Sequence, residues 1–139
     1  MTQTRAHTTT KIHAPHKQVS RHYQKGSKHT NTNPREVEAQ ALLKAARFMH
    51  DIQSRFESIT HAELEAALKI NRHIWMAFFE KASQSEDQTA LSLPANITTL
   101  AAFVFKRSFD ILTKPKSEKL SALITINREV AAGLMTTTA

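Results

Sequence analysis

At 139 residues the chain has the length of one domain. It carries no cysteine, which excludes disulfides, thiol catalysis and thiolate metal sites, and no apolar run approaches the roughly 20 residues of a membrane span. The net charge of +7 is local: six basic residues and no acidic ones precede Asn33, so subtracting six from 19 leaves thirteen basic residues against 12 acidic in the remainder. The alkaline balance therefore describes a tail and not a nucleic-acid-binding body. Two glycines, four prolines and an abundance of Ala, Leu, Glu and Lys point to an all-α body. The start of the chain has no apolar core of a secretory signal, so a soluble cytoplasmic protein is expected.

Residues 1–32 hold Thr8-Thr9-Thr10, five of the eight histidines and few apolar side chains. Such a segment buries too little surface to offset its ordering entropy, and a disordered basic tail is expected. His13 and His16 are three apart, as in some metal sites, but no third ligand accompanies them and no metal is expected. Arg and Thr without acids also resembles an organelle transit peptide, and equally sequence upstream of a native start at Val19; a mapped N-terminus decides between them.

Asn33-Pro34 with Glu36 opens a first helix, predicted over 34–57. Its stripe is Val37, Ala41, Ala45, Phe48, Ile52 and Phe56, with Leu42 and Met49 beside it. Thr60-His61-Ala62-Glu63 is a capping box that starts a second helix, predicted over 61–83. Leu64, Leu68, Asn71, Trp75, Phe78 and Ala82 step along it as a heptad seam, with an expected Glu65–Lys69 pair outside. Residues 84–92 are a polar loop.

Pro94 marks a third helix, predicted over 94–113, with the stripe Ile97, Leu100, Ala101, Val104, Ser108, Ile111 and Leu112. Phe103, Phe105 and Phe109 widen that stripe and are expected either to be buried or to expose an aromatic face. Lys114-Pro115-Lys116 is a tight connector, and Ser117 is the expected cap of a fourth helix over 118–134. Its stripe is Leu120, Leu123, Ile124, Asn127, Val130, Ala131 and Leu134, with Gly133 near the end. Short connections make the body, residues 33–135, a small antiparallel four-helix bundle. A bundle of about 100 residues is marginal alone, which favours obligate partnering.

The sequence offers little for catalysis. No Glu is followed three residues later by His, so a di-metal carboxylate bundle is excluded. There is no Gly-rich phosphate loop and no nucleophile elbow. His50, His61 and His73 fall on polar or boundary positions and read as surface imidazoles. No cofactor is expected and the chain is not read as an enzyme.

The tripeptide Ile-Asn-Arg occurs twice, at Ile70-Asn71-Arg72 and Ile126-Asn127-Arg128. Each copy puts an Asn on a core-facing stripe, where an amide must find hydrogen-bond partners. The favoured reading is a structural polar core in which Asn71 and Asn127 set register, with a bond between them across the second and fourth helices as one expectation. Arg72 and Arg128, beside the seam, are candidates for partner contact, as are Trp75 and Phe103.

Three ordered segments resemble the FlaF family of bacterial flagellar biosynthesis regulators. They are Asn33-Pro34-Arg35-Glu36-Val37-Glu38-Ala39-Gln40-Ala41-Leu42, Ala67-Leu68-Lys69-Ile70-Asn71-Arg72-His73-Ile74-Trp75, and Leu123 through Leu134 with Asn127-Arg128 and Gly133. Leu93-Pro94 adds a weaker fourth, and the resemblance spans residues 23–134. It implies a non-enzymatic role in flagellin production and export, opposing the repressor FlbT. It also implies direct association with flagellin, of a secretion-chaperone kind. An apolar groove of the bundle would hold an amphipathic flagellin helix. The seam around Trp75 and the Phe103/Phe105/Phe109 cluster are the candidate grooves. The rival reading is an RNA-binding regulator of flagellin message acting through the basic tail, with steep salt dependence. No RNA-recognition motif supports it, because the aromatics sit at helix-core spacing.

Overall fold

Four helices form because each segment supplies both an amphipathic face and chemical punctuation at its ends. The computed structural model describes residues 33–89 and 92–136. The expected tail, with its candidate transit, start-site and metal features, lies outside the described residues. The helices are α1 (Pro34–Ser54), α2 (His61–Ser83), α3 (Leu93–Thr113) and α4 (Leu120–Thr136), and there is no strand among the described residues. Short 3₁₀ turns at Phe56–Ser58 and Ser117–Lys119 follow α1 and precede α4. The described residues from Arg35 onward pack as one compact unit.

The caps follow the local chemistry. Thr60 Oγ1 accepts from the Glu63 backbone N–H at 3.1 Å, and the Thr60 N–H donates to Glu63 Oε1 at 2.8 Å. This reciprocal pair satisfies two otherwise orphaned donors and starts α2 where the sequence places it. Gln88 Nε2 returns to the Ala82 carbonyl at 2.8 Å near the end of α2. Ser92 caps α3 through the Ala95 N–H, with Pro94 in the first turn. That helix stops at Thr113 because Lys114 precedes Pro115, which disfavours helical backbone there.

Packing is antiparallel throughout. Lys81 on α2 pairs with Glu38 near the start of α1 at 3.0 Å. Gln53 near the end of α1 donates to the Ser117 carbonyl and to Ser121 Oγ, each at 2.9 Å, at the entry to α4. Lys119 joins the same entry to Asp110 near the end of α3 at 2.9 Å. The backbones of α2 and α3 approach one another most extensively. The core contains Leu42, Met49, Ile52, Leu64, Leu68, Trp75, Val104, Ile111, Leu120 and Leu123, all fully buried or nearly so. Each such side chain stabilises the fold by about 1.5–3 kcal/mol relative to exposure.

Three local expectations are corrected. The buried face of α1 is Ala39, Leu42, Ala45, Ala46, Met49 and Ile52, whereas Val37 is 53% exposed. Both sets have helical spacing; the face is chosen by what it packs against. Ser117 does not cap α4: a 3₁₀ turn intervenes, and the Ser117 carbonyl is held by Gln53 instead. The i,i+4 pair Glu65–Lys69 does not close; both side chains are exposed and neither is ion-paired among the described residues.

Two outcomes follow from these contacts. Replacing Thr60 with Ala removes the capping box and should lower stability by about 1 kcal/mol, read by urea denaturation followed through Trp75 emission. Asp110 is held below the ordinary carboxylate range, first by its hydrogen bond from Lys119 and against a desolvation cost. A depressed carboxylate stabilises the fold above its unfolded pKa and loses that contribution as pH falls through its folded pKa. The stability difference between wild type and Asp110→Asn should therefore be present near neutral pH and be lost progressively as pH falls below the ordinary carboxylate value of about 3.9.

Candidate functional site

The two Ile-Asn-Arg copies meet in the centre of the bundle. Asn71 lies on the α2 seam one turn before Trp75, and Asn127 lies on the α4 seam. All three side chains are fully buried. Asn127 Nδ2 donates to Asn71 Oδ1 at 2.7 Å and to the Leu42 backbone carbonyl at 3.1 Å. Asn127 Oδ1 accepts from Trp75 Nε1 at 2.9 Å. One amide thus ties α1, α2 and α4 together. Trp75 also packs edge-on against Phe78, with ring centroids 5.5 Å apart.

The knot is uneven. Asn71 Nδ2 is buried without an acceptor, whereas both functional atoms of Asn127 are used. Removing Asn127 orphans the Trp75 N–H and Asn71 Oδ1 together. Removing Asn71 costs Asn127 only one of two acceptors and eliminates a donor that is already unsatisfied.

The other candidate residues separate. Trp75, weighed as a partner contact, has no exposed area and is core. The reason is its N–H, which finds its acceptor inside the bundle. Of the seam around it only Phe78 and Ala82, toward the end of α2, reach a groove. Arg72 is half-buried and Arg128 exposed, and neither is ion-paired among the described residues. Phe103 is 37% exposed and lies under the Arg107 guanidinium, 5.1 Å from its ring centroid. Arg107 also donates to the Lys119 carbonyl at 3.2 Å, which fixes this pair on the α4 side of α3.

Phe103, Phe105 and Phe109 do not form one cluster. At about 100° per residue, positions 103 and 105 project to opposite flanks of a helix, while 105 and 109 share one. Phe105 stacks edge-on against Phe79 of α2 at 6.3 Å between centroids. Phe109, one turn further on, is 69% exposed.

A groove opens at the end of the bundle toward which the α2 seam runs, with a volume of about 290 Å³. Phe78, Ala82, Leu93, Ile97, Val130 and Leu134 supply its apolar lining, and the Lys81–Glu38 pair lies at its edge. Apart from Leu93, its apolar lining lies on the predicted inward stripes, but the meeting of these residues at one end is set by the packing of four helix ends. Among the described residues no group of three or more His, Asp or Glu side chains is placed to hold a metal. His50, His61 and His73 are all exposed. None of the described helices is long and apolar enough to cross a membrane.

The family model for flagellar protein FlaF matches residues 19–134, more than four-fifths of the chain. No curated protein and no solved structure matches.

Asn127→Leu should destabilise the fold by about 2–6 kcal/mol, since two buried polar groups lose their partners at roughly 1–3 kcal/mol each. Asn71→Leu, similar in shape, should cost less than about 1.5 kcal/mol. Urea unfolding of both variants gives the comparison; equal losses would contradict the asymmetry of the knot.

Proposed function

The chain belongs to the FlaF family of flagellar proteins, and from that premise we propose that it promotes flagellin synthesis and export by binding flagellin as a secretion-chaperone-like adaptor. It acts in the cytoplasm, before export, in opposition to the repressor FlbT. The bundle is a binding module and not an enzyme. Arg72 and Arg128 remain its candidate partner contacts; Phe103, held under Arg107 on the other flank of α3, is set aside, and Trp75 acts through the core that supports them.

The observation that supports this reading is the apolar surface left on α2 and α3. Met76 is 46% exposed, Phe79 a little over a third exposed, and Phe109 stands most clear of the surface. These side chains are large, and a folded monomer gains nothing by leaving them in water. Contiguous exposed apolar surface marks interaction sites, and a small helical bundle suits an amphipathic helix laid against it. Flagellin's terminal segments are the expected helices. The RNA reading depends on the tail, outside the described residues, and no described feature favours it.

The test is capture of flagellin monomer by the full chain in solution, with flagellin level and location followed in a deletion strain. Capture in the micromolar range or tighter, about −8 kcal/mol or better, is expected. In the deletion strain flagellin should fall, and removing FlbT as well should restore it. Failure of the wild-type chain to capture flagellin would remove the adaptor mechanism.

A further inference from the structure

We propose that the shallow face between α2 and α3, formed by Met76, Phe79, Phe105 and Phe109, receives one amphipathic helix of the partner, and that Arg72 pairs with a carboxylate flanking that helix's apolar stripe. The proposal rests on the flagellin-binding reading and gives it a surface.

The geometry starts from the Phe79–Phe105 contact, which sets the register of the two antiparallel helices. One turn back along α2 is Met76, and one turn on along α3 is Phe109, so these two exposed side chains fall at the same level. A further turn back along α2 is Arg72. The strip therefore runs about two helical turns, roughly 10 Å at 1.5 Å per residue. That length matches the i, i+4, i+7 anchors of a docked helix.

Charge chooses the occupant. Lys69 and Arg72 continue the Met76 face of α2, and Lys106 lies three residues before Phe109 on α3. None of the three is paired with a carboxylate among the described residues. Arg72 is half-buried and its guanidinium has no carboxylate partner among the described residues, so an acid brought by the occupant would find a charge-assisted partner there. Of the acidic residues of α2, Glu80 follows Phe79 directly, and Glu65 lies seven residues, about 10 Å, before Arg72. The middle of the face thus accepts an apolar stripe with an acid at its Arg72 end. Phe103, on the opposite flank of α3 under Arg107, takes no part.

The experiment titrates flagellin monomer into the full-length chain by calorimetry. Met76→Ser and Phe109→Ser should each weaken binding by about tenfold or more, and Arg72→Glu by about tenfold. The Arg72→Glu loss should shrink as salt is raised, because an ion pair at a partly exposed site is screened. Phe103→Ser should change affinity less than about twofold. The sole tryptophan, buried against Asn127, verifies that each variant is folded. Full affinity in both Met76→Ser and Phe109→Ser, or an equal loss in Phe103→Ser, overturns the surface while leaving flagellin binding intact. No binding by the wild-type chain overturns the functional reading and the surface together. If the same variants abolish self-association in sedimentation while flagellin binding is unchanged, the occupant is a second copy of this chain and the proposal is wrong.

Discussion

The side-chain amide of Asn127 holds the bundle in register. It donates to Asn71 and to the Leu42 carbonyl, and accepts from Trp75, so three helices depend on one planar group. A purely apolar core of this size could slide or rotate its helices by a turn at small cost. A buried amide cannot, because each displacement strands polar groups in a medium that does not hydrate them. The cost is visible in Asn71 Nδ2, which has no acceptor. Here specificity is obtained at some expense of stability, the pattern of a polar residue on a coiled-coil seam.

Fixing the interior this way determines what is left outside. With Trp75 turned inward to Asn127, the flank of α2 that carries Arg72, Met76 and Phe79 faces α3 and solvent. The extensive approach of α2 and α3 then sets Phe105 against Phe79 and leaves Phe109 standing clear. The repeated tripeptide thus has two layers. Its Asn residues build the core, and its Arg residues lie beside that core at the surface.

Much of the fold was legible in the residues. The capping box at Thr60, the seam from Leu64 to Ala82 and the stop at Lys114-Pro115 placed helices close to where they lie, because those signals act within a few residues. The Asn71–Asn127 bond was legible for a different reason: two amides on inward stripes have few other places to go. The α1 face was misjudged because Ala, Leu and Phe at neighbouring positions allow two stripes, and only the packed partner selects one. Trp75 was weighed for a partner contact because its N–H needs an acceptor, and sequence cannot say whether that acceptor is internal.

By itself the sequence determined the class, the number and approximate ends of the helices, the polar core and the family resemblance, all of which rest on local spacing and ordered motifs. Only the tertiary structure decided that Leu42 lends a backbone carbonyl to the knot, that Gln53 holds the entry of α4, and that four helix ends make a groove. It alone split the three phenylalanines of α3 into two flanks with different neighbours. These features join residues tens of positions apart, and which of them meet depends on the rotation of each helix about its axis. That rotation is fixed by the buried hydrogen bonds of Asn127, which exist only once the helices have packed.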